Sequence, residues 1–178
     1  MVKARTVWPD GQMSRMVSFP MKQTAPLKAT AATGTQPGLA VAVYELKAGP
    51  KNLPEFDRLA PAKTAVAERV NLKAKSREDN FGLEFTGFLT VPGTGVYLLK
   101  VASDDGAAVL PDGQPVYGKD GIHGMEESMG TVALEAGAHP LTVRYFQGSS
   151  GKGLRLDWPV PGGRFEEIPA AAYSHPGK

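Results

Sequence analysis

Residues 81–106 read FGLEFTGFLTVPGTGVYLLKVASDDG, and this stretch decides the fold class. In its first half large apolar residues alternate with polar ones, so one face of an extended strand carries Leu83, Phe85, Gly87, Leu89 and Val91. A Pro-Gly-Thr-Gly turn follows at 92–95, and the alternation resumes with Tyr97, Leu99 and Val101 directed to the core. The stretch therefore predicts an antiparallel β-hairpin that buries one face.

The rest of the chain repeats this pattern of short extended runs and turns. Further strands are predicted at 39–46, 107–110, 115–117, 130–134, 141–146 and 154–158. The 21 glycines and 15 prolines among 178 residues suit many tight turns. Short strands at this spacing are typical of a sandwich or barrel. We expect an all-β, antiparallel β-sandwich.

Two stretches lack a strand pattern. Residues 49–70 have turn and linker character, with at most a helical turn near 54–59. Glu166 and Glu167 are interpreted as part of a solvated C-terminal turn.

Composition excludes several classes of function. The net charge is +2 and the Lys and Arg residues are scattered, which disfavours nucleic-acid binding. No apolar run is long enough to span a membrane, and residues 1–11 lack the apolar core of a secretion signal. Without cysteine there is no disulfide framework, thiolate metal site or cysteine nucleophile. These features suit a bacterial secreted or periplasmic module and do not exclude the cytoplasm.

Asp104 and Asp105 are the first candidate site. Adjacent carboxylates at a strand end repel each other unless a cation or hydrogen bonds offset the repulsion. In an extended strand neighbouring side chains diverge, so both could ligate one ion only if the backbone turns sharply between them. The alternative is that both side chains are solvated in an ordinary loop.

Four segments, in order, resemble one known family. They are REDNFGLEFTGFLTVPGTGVYLLKVASDDG, LPDGQPV, DGIHGMEESMGTVALEAGAHPLTVRYFQ and GKGLRLDWPVPG. Together residues 80–174 are similar to the β-sandwich domain family named after the N-terminal part of anthrax protective antigen, with flocculin and GLEYA adhesin domains as relatives. Such domains are also appended to bacterial chitobiase-type and other secreted glycoside hydrolases. The family includes sugar binders, structural appendages of glycosidases, and toxin parts.

The resemblance implies a site. It assigns the family's aspartate pair to Asp104 and Asp105 as metal and carbohydrate ligands, with calcium as the candidate cation. In the adhesin branch the sharp turn is a cis peptide between these aspartates, and Gly106 lets the next strand leave at close range. The second binding loop would be 147–153, QGSSGKG, which has no Asp or Asn. Ligands there would be Gln147 or backbone carbonyls, and Lys152 is unfavourable beside calcium.

The polar loop 117–128 adds Asp120 and His123 as candidate carbohydrate ligands, because sugars need several hydrogen-bonding groups. His123 is equally well explained as filling a Gly-His-Gly loop. Asp112 is interpreted as a turn former in Pro-Asp-Gly. Trp158 alternates with Leu154 and Leu156, which favours core packing over a sugar platform.

Residues 1–36 differ from the rest. They contain two short predicted strands around Pro9-Asp10-Gly11, with Trp8 as an anchor, and a linker. The first part is similar to the last hairpin of the immunoglobulin-like domain that precedes such modules. We therefore expect 1–36 to be the remnant of a preceding domain, 37–178 to be the sandwich, and the chain to be the C-terminal end of a longer protein. The alternative is a native N-terminal arm.

Independent catalysis is not expected. The segment GSSGKG lacks nucleophile-elbow spacing, and the three histidines lack zinc-ligand spacing. A glycosidase needs two carboxylates across a cleft, whereas Glu126 and Glu127 are adjacent and expected to diverge. The sequence therefore suggests a carbohydrate-binding accessory module of a secreted enzyme. The competing hypothesis is a structural module that positions a neighbouring domain without binding sugar.

Overall fold

The computed structural model describes residues 2–19 and 24–177, and this part of the chain is built almost entirely from strands. The elements are β1 (Val2–Ala4), β2 (Val17–Phe19), β3 (Thr35–Pro37), β4 (Leu39–Glu45), β5 (Lys63–Ala67), β6 (Phe81–Val91), β7 (Gly95–Asp104), β8 (Ala107–Pro111), β9 (Tyr117–Lys119), β10 (Glu126–Leu134), β11 (Gly137–Gln147), β12 (Gly153–Pro159), β13 (Phe165–Glu167) and β14 (Tyr173–Pro176), with 3₁₀ turns at Phe56–Arg58 and Ala170–Ala172. No described helix is long and apolar enough to cross a bilayer.

Two antiparallel sheets form the sandwich. The smaller sheet has the strand order β10-β7-β12-β13. The larger sheet has eight strands, in the order β3-β14-β6-β11-β8-β9, with β4 and β5 continuing from β6. The all-β, antiparallel sandwich predicted from the sequence is confirmed.

The predicted hairpin of β6 and β7 was wrong, because the turn between them carries the chain from the larger sheet to the smaller one, and each strand pairs with other neighbours. The alternation itself is confirmed, since one face of each strand is buried. In β6, Leu83, Phe85 and Leu89 are fully buried. In β7, Leu99 and Val101 face the same core, where they meet the buried side chains of β11 and β12. Hydrophobic burial between the two sheets is therefore the main stabilising contribution.

Trp158 is partly buried against this core, and its ring centroid lies 6.3 Å from that of Tyr97. The predicted core role of Trp158 is therefore confirmed. The pair lies at the end of β7 opposite to Asp104, so neither ring belongs to the aspartate site.

Several strands begin or end where the sequence pattern did not indicate. The predicted strand 115–117 was wrong, because the strand is Tyr117–Lys119, and β10 begins at Glu126 rather than at residue 130. Glu126 and Glu127 have low strand propensity, but they pair in register with Ser103 and Ala102 of β7. Cross-strand pairing here overrides local preference.

The interpretation of Glu166 and Glu167 as a solvated turn was also wrong. Both lie in β13, where they pair with Trp158 and Asp157, and Glu167 accepts a hydrogen bond from Arg69. Strand β5, in the segment read as a linker, was likewise missed, whereas the helical turn near 54–59 is confirmed at Phe56–Arg58. Short edge strands with exposed side chains carry little hydrophobic periodicity.

The N-terminal strands β1 and β2 form their own two-stranded sheet. The following segment is attached to the sandwich by bridges from Leu27 to Leu134 and from Thr30 to Ala138, and by pairing of β3 with β14. The division at residue 36 and the origin of the first 36 residues in a preceding domain stay predictions.

Candidate functional site

The aspartate pair lies at a corner where β7 leaves one sheet and β8 enters the other. The peptide bond between Asp104 and Asp105 is cis, as the resemblance implied. Gly106 is needed for close packing at the corner, because a Cβ there would lie 2.5 Å from Cε1 of Phe146. We call this end of the sandwich the rim: Asp104, Asp105, the loop 120–125 and the loop 148–152.

Asp105 fastens two loops of the rim together. Its side chain is buried, with Oδ1 accepting from the backbone N–H of His123 at 3.0 Å and Oδ2 from that of Gly148 at 2.8 Å. Charge-assisted hydrogen bonds of this kind offset the cost of burying a carboxylate. Asp105 therefore acts first as a structural anchor of the rim.

Asp104 is half-buried and has a different environment. No residue in the described part of the chain donates a hydrogen bond to its carboxylate, whose Oδ2 lies 2.7 Å from where a Cβ on Gly151 would stand. Burial, followed by the charge of Asp105, raises the pKa of this carboxyl, and His123 and Lys152 oppose the shift. This carboxylate therefore has unused acceptor capacity at the rim.

His123 lies beside Asp104 on the loop 120–125. Its Nδ1 is 2.8 Å from the carbonyl of Gly124, which assigns the proton of a neutral ring to Nδ1. Its Nε2 is buried and finds no hydrogen-bond partner among residues 2–19 and 24–177. The rim thus holds a second polar atom, an imidazole nitrogen, that the fold itself does not satisfy.

Asp120 fixes the base of the same loop. Its Oδ1 accepts from the backbone N–H of Leu53 at 2.6 Å and of Gly121 at 2.8 Å. The same oxygen would lie 3.0 Å from a Cβ on Gly106, which places Asp120 against the aspartate corner. Asp120 therefore joins the segment around Leu53 to the rim.

Gln147 is fully buried at the end of β11. Its Nε2 donates to the carbonyl of Gly151 at 2.7 Å, and its Oε1 accepts from the Tyr145 hydroxyl, which also contacts the carbonyl of Asp104. Both ends of the amide are thus used inside the protein. Gln147 therefore holds the loop 148–152 in place, and its contact with a ligand stays a prediction.

The five candidate residues predicted from the sequence therefore gather at one end of the sandwich, with Asp104 and His123 nearest to unused hydrogen-bonding capacity. Lys152, expected to disfavour a cation, is paired with Glu78 at 3.0 Å and lies 3.8 Å from Asp79. Sequence reasoning missed the roles of Tyr145 and of the Gly148 N–H. No sequence pattern marks where a tyrosine hydroxyl will point.

A calcium ion needs six to eight oxygen ligands. The described residues contain no group of three His, Cys, Asp or Glu side chains arranged around a common point. The residues that fit calcium are the Asp104 carboxylate, with its unused acceptor capacity, and Asp105 beside it. Side chains of the described residues supply only part of a calcium shell, so backbone carbonyls, water or hydroxyls of a ligand would complete it.

The chain matches a family model. The model of the PA14 domain matches residues 35–172, which is most of the chain and includes every strand from β3 to β13. A search of curated proteins finds no match.

Solved structures with the same fold include the PA14 domain of the MpAFP antifreeze protein, with a TM-score of 0.68 and 17% identity over 89% of this chain and 98% of that one. The PA14 sugar-binding domain of an RTX adhesin has a TM-score of 0.65 and 19% identity, over 78% of this chain and 98% of that one. The epithelial adhesin 9 A domain of Candida glabrata, in complex with Galβ1-3GlcNAc, has a TM-score of 0.61 and 10% identity, over 83% of this chain and 93% of that one. At these identities the likeness concerns the fold.

Proposed function

This chain belongs to the PA14 domain family, and on that premise we propose that it is a non-catalytic carbohydrate-binding module that holds glycan at the rim. The observation that carries the proposal is the Asp104 carboxylate, whose acceptor capacity is unused at a corner where every neighbouring acid is fastened. Sugar binding by the RTX adhesin and Candida glabrata domains of the same fold supports it.

The proposed roles follow from the contacts of each residue. Asp104 would accept hydrogen bonds from sugar hydroxyls or bind a cation, and the ring of His123, whose Nε2 is buried, would form the wall of the site beside it. Asp105, Asp120 and Gln147 would hold the two loops in position and so fix the placement of Asp104 and His123. A site already held in place pays little ordering entropy when a small ligand binds.

Calcium is part of this proposal. Asp104 and Asp105 would hold the ion, and the ion would neutralise their charges while offering coordination to vicinal hydroxyls of a sugar. The unused acceptor capacity of the Asp104 carboxylate, next to the second carboxylate of Asp105, supports it.

We further propose that the module is secreted or displayed at the surface of a bacterium as an accessory domain of a carbohydrate-active enzyme, with a neighbouring domain as its partner. Support comes from the resemblance of the first part of residues 1–36, residues 4–23, to the last hairpin of a preceding domain. It also comes from the distinct two-stranded sheet that β1 and β2 form.

A second candidate function is a structural module that positions a neighbouring domain without binding sugar. One observation favours it: the carboxylates of Asp105 and Asp120 and the amide of Gln147 all bond within the fold. Under this hypothesis Asp104 would meet a partner domain instead of a ligand.

Calorimetric titration of the protein with a panel of oligosaccharides, in calcium and in chelator, tests the proposal. We expect binding in calcium, weaker binding in chelator, and at least tenfold loss in Asp104→Asn. Asp57→Asn is the matched control, since the Asp57 side chain is 83% exposed and pairs with Arg144 rather than with a residue of the rim. Equal binding by wild type and Asp104→Asn would contradict the proposed site, and no binding by any sugar would favour the structural module.

A further inference from the structure

Two large apolar side chains are exposed at the rim. Ile122 is 58% exposed and Met125 is 54% exposed, and they flank His123 on the loop 120–125. A single exposed apolar residue is ordinary on a protein surface. Ile122 and Met125 together form an apolar surface, and the Asp104 carboxylate beside them forms a polar one.

Both side chains lie on the loop that also borders Asp104. A Cβ on Gly148 would stand 2.9 Å from Cδ1 of Ile122 and 3.3 Å from Oδ2 of Asp105. A Cβ on Gly153 would stand 2.8 Å from Sδ of Met125, and Gly153 is the register partner of Asp104. We call Ile122 and Met125 the rim shelf.

The shelf lies over glycines for a steric reason. With a side chain at Gly148 or Gly153, Ile122 and Met125 would be displaced from the loop 148–152. Their contact with the glycines holds the apolar atoms close to the carboxylates. A ligand at the rim could therefore contact a carboxylate and an apolar side chain at the same time.

The charge around the shelf disfavours an anionic ligand. Asp104, Asp105 and Asp120 gather here, and the nearby Lys152 is engaged by Glu78. Lys119 is likewise paired, with Glu126. An added carboxylate on a ligand would be repelled by these acids unless a cation intervened.

We propose that the rim selects neutral hexoses that carry a methyl group, either in an acetamido substituent or as a 6-deoxy carbon. Sugar hydroxyls would lie at Asp104 and the methyl group on the rim shelf. The inference rests on the proposed function and adds the class of sugar to it.

The test is a set of calorimetric titrations with matched pairs: N-acetylglucosamine against glucose, and 6-deoxygalactose against galactose. The first sugar of each pair presents a methyl group where its partner has a hydroxyl or a hydroxymethyl group, in N-acetylglucosamine as part of an acetamido group. Burying that methyl group is expected to tighten binding about fourfold. Whichever pair shows this preference identifies the source of the methyl group. N-acetylneuraminic acid, which adds a carboxylate to an acetamido group, should bind more weakly than N-acetylglucosamine in chelator.

The shelf is tested with Ile122→Ser and Met125→Ser, alone and combined. These variants should lose the methyl preference while glucose and galactose bind as in wild type. Met129→Ser is the matched control, since Met129 is 48% exposed on β10 and pairs with Lys100 away from the rim.

The outcomes separate this inference from the proposed function. If glucose or galactose binds but the methyl group adds nothing, or if the preference persists in the double variant, the shelf is overturned and the rim site stands. If no sugar of either kind binds, the proposed function fails and the inference fails with it.

Discussion

Strand β8 has an aspartate turn at each end, and the two turns use their carboxylates in opposite ways. After the strand, Asp112 lies 2.9 Å from Nδ1 of the fully buried His139, whose Nε2 is 2.9 Å from the carbonyl of Glu135. Before the strand, Asp104 has no such partner in the described part of the chain, and neither has Nε2 of His123 beside it.

The difference separates polar side chains that bond within the fold from polar side chains that are available to a ligand. At the end of β8 away from the rim, which we call the far end, Asp112 and His139 are hydrogen-bond partners, so both polar groups are satisfied within the protein. At the rim, an anchored carboxylate, Asp105, stands next to one with unused capacity. The sequence motif Asp-Gly is common to both turns, so only the partners distinguish them.

The largest effect is expected for Asp105→Ala, which would break the rim itself. Removing both acceptors leaves the backbone N–H groups of His123 and Gly148 buried without partners, at about 1–3 kcal/mol each. We expect a loss of about 3 kcal/mol in the free energy of urea unfolding. A loss below about 1 kcal/mol would mean that Asp105 is not the anchor.

The corresponding change at the far end is Asp112→Asn. Asparagine tolerates the positive φ of 49° at this position, so the turn should persist, but the contact with His139 loses its charge assistance. We expect a loss of about 1.5 kcal/mol in urea unfolding. Sugar binding should be unchanged, and reduced sugar binding would show that the two ends are coupled.

The smallest effect on stability is expected for Asp104→Asn. Because the pKa of Asp104 is raised in the fold, the protonated carboxyl favours folding below the ordinary pKa of 3.8, and this contribution is lost as pH rises through the raised value. Asparagine lacks the charge, so it should slightly stabilise the protein at pH 7. The gain over wild type should shrink toward pH 3.5, and a destabilised variant at pH 7 would indicate a structural role.

The sequence predicted the fold well where alternation was strong. The faces of β6 and β7 were correct because large apolar residues recur every second position between clear turns. It failed for β5, β13 and the start of β10, whose side chains are mostly exposed or charged. Those strands exist because a neighbouring strand supplies their hydrogen bonds, which no local window records.

The location of the candidate site was also predicted from the sequence. Which of its side chains bond within the fold and which have unused hydrogen-bonding capacity was not. Gln147 and Asp105 were indistinguishable from ligands until their partners were known. Ile122 and Met125 had no pattern at all, since their significance comes from glycines about 26 and 28 residues further along the chain.

The Asp104 carboxylate has no hydrogen-bond partner in the described part of the chain, which leaves it available to a ligand or cation. Carbon-13 NMR titration of this side-chain carboxyl tests that availability. We expect a pKa above 3.8 for this carboxyl in the free protein and a lower pKa when calcium is added. A pKa at or below 3.8 in the free protein, unchanged by calcium, would contradict it.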